Sequence, residues 1–165
     1  MEGKVLVAYA SKHGSTLEVA AEIEKGLRKA GLATALREVA RVERLADYEA
    51  VVLGAPIYMG RWHRDAHRFL RKYDEELEGK PLAVFALGPL HEDETEWTKA
   101  REVLATALDG RSVTPVAVEV FGGRIDPEDL RFPFSRMSQE DARDWTAIAG
   151  WAAELPRLLR PVVPV

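Results

Sequence analysis

Five short apolar runs, interleaved with stretches of helical period, constrain this chain more than any other feature. Lys4–Tyr9 (KVLVAY) is near-continuously apolar and β-rich, the pattern of a strand covered on both faces. Residues 15–30 follow with Ala20, Ile23, Leu27 and Ala30 on one helical face and Gly31 as the stop. Residues 33–39 read as a weaker second strand, placed at an edge by Arg37 and Glu38. Residues 50–55 are apolar throughout and form a third. A helix is predicted over residues 64–77, its stripe made by Phe69, Leu70, Tyr73 and Leu77, with Gly79-Lys80-Pro81 beyond it. Leu82–Leu87 is the fourth strand. Asp93 and Glu96 predict a capping box ahead of a helix carrying Ala100, Val103, Leu104 and Ala107. Residues 113–121 form the fifth strand, where Pro115 is tolerable only near the start or on a sheet edge. Ser138 with Asp141 is expected to cap a last helix bearing Trp145, Ile148, Ala152 and Leu155. Pro156 should break or bend that helix.

Strand–helix alternation along the chain implies right-handed crossovers and a doubly wound parallel sheet with helices on both faces. At about 150 residues per domain, 165 residues make one domain. Residues 1–160 are expected to form it, with 161–165 as a tail. The absence of cysteine excludes disulfides, thiolate metal sites and a thiol nucleophile. A net charge of −4 is too mild to attract a polyanion, which argues against nucleic acid as a partner. No run approaches the roughly 20 apolar residues that span a bilayer, and the six after the N-terminus are too few for a signal-peptide core. The expectation is a soluble cytoplasmic protein.

Ligands of open parallel sheets bind beyond the carboxyl ends of the strands. The segments to read are therefore residues 10–16, 56–63, 88–95 and 122–137. The first runs Ala10-Ser11-Lys12-His13-Gly14-Ser15-Thr16 into a helix. Hydroxyls, a glycine and a helix N-terminus in so short a stretch make a phosphate cradle, because free backbone N–H groups and the helix dipole favour an anion. One capping hydroxyl would account for Ser15 or Thr16, but not for the whole set. The segment lacks the GKS/GKT of a P-loop and the G-x-G-x-x-G of a dinucleotide site.

Tyr9-x-Ser11-x-x-Gly14-x-Thr16-x-x-x-Ala20-x-x-Ile23 resembles the FMN-phosphate signature of the flavodoxins, with Ala8 outside the usual choice. Gly54-Ala55-Pro56-Ile57-Tyr58-Met59-Gly60 resembles the flavodoxin segment that lies against the flavin ring. Within that family, the stretch through His63, together with Phe121-Gly122-Gly123-Arg124 and Asp126-Pro127, is most similar to the menaquinone-dependent protoporphyrinogen oxidase branch.

The resemblance implies the sheet order 2-1-3-4-5 of the short-chain form and FMN as cofactor. It assigns Ser11, Lys12, His13, Gly14, Ser15 and Thr16 to the phosphate. Pro56, Ile57, Tyr58, Met59 and Gly60 fall against the ring, Tyr58 as a stacking aromatic and the Met59–Gly60 peptide near the ring's N5. Gly88, Pro89, Leu90 and His91 line the pyrimidine edge, offering backbone N–H donors. His63 is a candidate proton donor at the rim; the other reading is a solvated histidine at a helix start. His63 and His67 stand four apart but lack a third ligand, so no metal is expected.

Electron-carrier flavodoxins are strongly acidic and often cover the ring's outer face with an aromatic after the fourth strand. This chain is only mildly acidic and has no aromatic there before Trp97. Both departures favour an FMN-dependent oxidoreductase acting on a small planar quinone or porphyrinogen. Two alternatives stay open: an electron carrier serving protein partners, and a cofactor-free binding module. The segment 122–137, with Phe132, Phe134, Arg131 and Arg136, is read as packing over the last helix, a lid or a peripheral membrane contact; it is shorter than the insertion of the oxidase branch.

Overall fold

The computed structural model describes residues 3–11, 14–91, 93–125 and 140–160. Five strands run parallel: β1 (Lys4–Tyr9), β2 (Thr34–Glu38), β3 (Tyr48–Tyr58), β5 (Leu82–Leu87) and β6 (Ala117–Phe121). Their order is β2-β1-β3-β5-β6, which is the expected 2-1-3-4-5 counted over parallel strands. A short β4 (Arg61–Trp62) adds antiparallel to the end of β3, and β7 (Arg124–Ile125) pairs with β8 (Glu140–Asp141) apart from the main sheet. This is a doubly wound flavodoxin-like sheet.

Alternation along β1 explains why the run is apolar throughout. Leu6 and Ala8 enter one core, with Phe69 and Leu70 of α2 (Arg64–Lys72) and Leu104 of α4 (Glu94–Leu108). Val5 and Val7 enter the other, with Ile23 and Leu27 of α1 (Ser15–Lys29) and Ile148 and Leu155 of α5 (Trp145–Leu159). Each fully buried Leu, Ile or Phe contributes about 1.5–3 kcal/mol, so both faces need their helices. The chain leaves β1 toward β2 on one side and β3 toward β5 on the other. The switch in strand order therefore lies between β1 and β3.

Several boundaries differ from those expected, each for a physical reason. β3 runs past residue 55 to Tyr58 because β4 folds back and pairs with it. The helix expected over 64–77 divides at Tyr73, whose hydroxyl donates to the Val42 carbonyl at 2.9 Å. A new short helix, α3 (Asp74–Leu77), then starts on Asp74-Glu75-Glu76, carboxylates that suit a helix N-terminus. The fifth strand starts at Ala117 rather than Val113, after Pro115, which has no N–H to give the ladder. Asp144 caps α5 by accepting from Ala147 N at 3.1 Å, while Asp141, the expected partner of Ser138, bonds Arg143 instead. Ser138 lies outside the described residues. Helix α5 continues to Leu159 through Pro156, its last turn held in the core by the buried Leu155 and Leu159.

Candidate functional site

All described parts of the four segments lie at the carboxyl edge of the sheet. At the end of β1, Ala10 N donates to Gly54 O at 2.9 Å, and Ser11 Oγ accepts from Gly14 N at 2.8 Å. That bond closes the loop on itself. Gly14 is the N-cap of α1 at φ +87°, a conformation in which an L side chain is strained. No side chain caps the helix, so neither Ser15 nor Thr16 plays that part. Thr16 is fully buried (0% exposed), and its hydroxyl has no hydrogen-bond partner among the described residues. A buried unpaired hydroxyl typically costs about 1–3 kcal/mol, so its place at a helix N-terminus fits an anion that completes it. Lys12 and His13 lie outside the described residues.

The second segment is a hairpin rather than a loop. Ile57 pairs with Trp62 and Tyr58 with Arg61. The two turn residues, Met59 and Gly60, have φ of +53° and +75°, the positive pair that a type I′ hairpin requires. Gly60 is suited to this; Met59 carries strain. Tyr58 is 45% exposed and Met59 75% exposed at the tip, so the ring of Tyr58 belongs to the strand end and not to the core. Behind the tip, Trp62 is buried and donates to Ala55 O, and His63 N donates to Pro56 O at 3.0 Å.

His63 is the N-cap of α2: its Nδ1 accepts from Asp65 N at 3.1 Å. A neutral ring so engaged carries its proton on Nε2. His67 turns away and meets the Trp62 ring edge-on at 5.5 Å. Burial, then Arg111 and Arg71, holds the His67 pKa below the usual histidine value. Among the described residues no three His, Asp or Glu side chains gather as a metal site.

The third segment corrects an expectation. Gly88 N donates to Phe121 O at 3.0 Å, Pro89 has no N–H, and Leu90 N donates to Glu96 Oε1 at 2.7 Å. These backbone groups are therefore engaged within the protein. Glu96 thus serves the loop and does not complete a capping box with Asp93, which instead accepts from Thr95 N at 2.9 Å. Trp97 Nε1 donates to His91 O at 3.1 Å, and Arg101 lies over the same indole at 5.8 Å, so its ring is tied to α4.

The fourth segment brings a cluster that no periodicity announced. Arg143, with a side chain only 5% exposed, grips Asp141 through Nε and Nη2, both at 2.9 Å. Its Nη1 reaches Glu18 Oε1 at 3.2 Å and Ser15 O at 3.4 Å, and Arg124 stands 3.5 Å from Glu18. The hydrogen bonds from Arg143 hold the Asp141 carboxyl below the usual carboxylate range. The β7–β8 ribbon is thereby clamped to the first turns of α1. Gly123 N donates to Pro89 O at 2.9 Å, and a Cβ on Gly122 would run into the Ala142 carbonyl oxygen, so backbone approaches backbone closely here. Residues 126–139, which include Phe132 and Phe134, lie outside the described residues.

The model of the family described as flavodoxin domain matches residues 6–138, which include all these segments as far as the ribbon. The chain belongs to the flavodoxin domain family. Among curated proteins, protoporphyrinogen IX dehydrogenase [quinone] of Escherichia coli K12 is 28% identical over 86 residues, 51% of this chain. The match spans about half of that relative, 48% of its length. Oxidised flavodoxin 1 from Bacillus cereus superposes with a TM-score of 0.61 at 19% identity, covering 96% of this chain and 100% of its own. A flavodoxin variant from Fusobacterium nucleatum, solved bound to flavin mononucleotide, gives 0.55 at 16% identity, covering 97% and 99%. Among the described residues of this flavodoxin-domain chain, no helix is long and apolar enough to cross a membrane.

Proposed function

We propose that this flavodoxin-domain protein, with residues 1–160 as its single domain, is an FMN-dependent oxidoreductase exchanging electrons or hydride with a small planar quinone or porphyrinogen. The observation that carries the cofactor is the buried, unpartnered Thr16 hydroxyl at a helix start no side chain caps. Ser11, Gly14, Ser15 and Thr16 would hold the phosphate through hydroxyls and the first N–H groups of α1, with Lys12 and His13 completing the segment. When bound, the flavin supplies the redox chemistry. Tyr58 offers an aromatic face at the hairpin end, and an offset stack adds on the order of 1 kcal/mol beyond burial. His63, fixed by its Nδ1 bond, presents Nε2–H as a group able to give a proton at the rim.

The reading as an enzyme rests on the loop after β5. Its nearest indole, Trp97, is bonded back to His91, which leaves Leu90 and His91 to border the site with no covering indole or phenyl ring after β5 among the described residues. The relative named for quinone and protoporphyrinogen IX supports the same substrate class. The second reading, an electron carrier, rests on the fold shared with flavodoxins. Stopped-flow oxidation of the reduced, FMN-loaded protein separates them. Direct, weakly salt-dependent reaction with a small quinone or a porphyrinogen is expected. Failure with both, alongside fast reaction with a redox protein, would leave the carrier.

A further inference from the structure

The chain is net negative, yet residues 61–72 hold Arg61, Arg64, Arg68, Arg71 and Lys72 against a single carboxylate, Asp65. Spacings of three and four put Arg64, Arg68 and Arg71 on one side of α2, opposite the buried Ala66, Phe69 and Leu70. All five cations are exposed; the Arg64 and Arg68 side chains are 86% and 67% accessible. Asp65 offsets one charge of the five, standing 4.0 Å from Arg64 and 3.9 Å from Arg68.

The charge also collects where it would matter. Helix α2 starts directly after the hairpin, so Arg61 and Arg64 flank the exposed Tyr58–Met59 tip, and the stripe runs about 10 Å down the helix from there. Beside it, a groove of ≈ 220 Å³ lies between Val39, Ala40 and Val42 and the Arg68, Phe69 and Lys72 side chains. Arg41 continues the positive charge onto the short 3₁₀ turn at Val39–Arg41. Nearby carboxylates are Asp74, Glu75, Glu76 and Glu78, which follow Lys72 in and after α3, and Glu38, Glu43 and Asp47; Asp74 is bonded to Ser112 and Asp47 paired with Arg44 at 3.1 Å, and the excess of positive charge lies at the Arg61–Arg68 end beside the tip.

We propose that the α2 arginine stripe and the hairpin tip together form the docking surface for an acidic electron-transfer protein. The part played by electrons rests on the flavin reading; the docking itself does not. Geometry favours a protein over a lipid surface. The stripe runs away from the carboxyl edge, so a flat bilayer touching the tip would meet only Arg61 and Arg64. A convex acidic partner can engage tip and stripe at once, and exposed charges of this kind act mainly on encounter rate and salt dependence.

The test is binding of an acidic [2Fe–2S] ferredoxin, measured by biolayer interferometry on protein prepared with and without FMN. Saturable binding that weakens steeply with added salt is expected in both preparations. Arg64→Glu with Arg68→Glu should weaken it at least about tenfold at low ionic strength, whereas Lys25→Glu, a charge reversal on exposed α1 surface across the sheet, should not. Equal loss from both variants, or no binding by a protein whose FMN loading is verified, would overturn the docking surface while leaving the flavin reading intact. Binding to vesicles containing phosphatidylglycerol, without binding to ferredoxin, would also overturn it and assign the stripe to lipid. A protein that takes up no FMN but binds ferredoxin through Arg64 and Arg68 would sink the flavin reading and keep the surface.

Discussion

The indole Nε1 of Trp62 donates to the carbonyl oxygen of Ala55 at 3.1 Å, in the interior and seven residues back along the chain. Ala55 belongs to the stretch of β3 that pairs with β5, and Trp62 is the last residue of β4. One hydrogen bond therefore ties the hairpin that shapes the candidate site to the centre of the sheet. Trp62 also packs against His67 from α2, so hairpin, helix and sheet meet at this ring.

Trp62→Phe keeps an aromatic ring but removes the donor. A net hydrogen bond of this kind is worth about 1 kcal/mol, with a cavity term added, so a loss of about 1–3 kcal/mol in urea unfolding is expected. An unchanged midpoint would show that the hairpin holds without this tie.

Thr16→Val separates a structural hydroxyl from a ligand-binding one. The Thr16 hydroxyl is buried without a partner among the described residues, so removing it should leave the stability of the flavin-free protein equal or slightly higher. FMN affinity should fall tenfold or more, since a charge-assisted hydrogen bond to phosphate contributes about 1.5–3 kcal/mol. Riboflavin, lacking the phosphate, should bind the parent far less tightly than FMN. Equal affinities for the two in a fluorescence titration would remove the phosphate assignment.

The sheet and the phosphate segment were legible because each rests on a local signal. A strand buried on both faces must be apolar there, as β1 is from Val5 to Ala8, and Leu82–Leu87 begins and ends where its run does. The hairpin was not legible: positions 57–62 carry no hairpin dipeptide such as Asn-Gly, and Met59 occupies a left-handed position that sequence preference assigns to other residues. The break at Tyr73 depends on a hydroxyl reaching a carbonyl 31 residues away. The Arg143 clamp joins residues 125 positions apart, and Glu96 took the Leu90 N–H where local pattern predicted a capping box. Long-range polar contacts leave no period in a sequence.

The clamp makes a prediction about acid. Arg143 lowers the folded-state pKa of Asp141. A depressed carboxylate stabilises the fold fully above its unfolded value, about 3.9, and the contribution is lost as pH falls through the lower folded value. Asp141→Asn should therefore be less stable than the parent at neutral pH, and the gap should close in strong acid. Asp74, also lowered by its bonds to Ser112, titrates alike in both proteins and drops out of the difference. Urea midpoints from about pH 7 to about pH 2.5 would show it. A gap that stays constant would mean the Asp141–Arg143 bonds contribute nothing through charge.

Met59 offers the opposite case, a residue whose replacement should help the fold. Its φ of +53° sits in the left-handed region, which costs a non-glycine residue roughly 1–2 kcal/mol, and its side chain is largely in solvent. Asparagine tolerates that conformation, and Asn-Gly is the favoured pair for a type I′ turn. Met59→Asn should raise stability by about 0.5–1 kcal/mol, read as a higher denaturant midpoint at unchanged slope. Strain of this kind persists at functional sites when the residue or the movable backbone is used. FMN affinity measured on the same variant decides which. Tighter FMN binding with higher stability would mean the strain serves no purpose in holding the ring. Higher stability with weaker FMN binding would mean the turn must leave its hairpin geometry to accept the flavin, and a stiffer turn resists that change. Lower stability would contradict the strain itself, because nothing else at this exposed tip depends on the thioether.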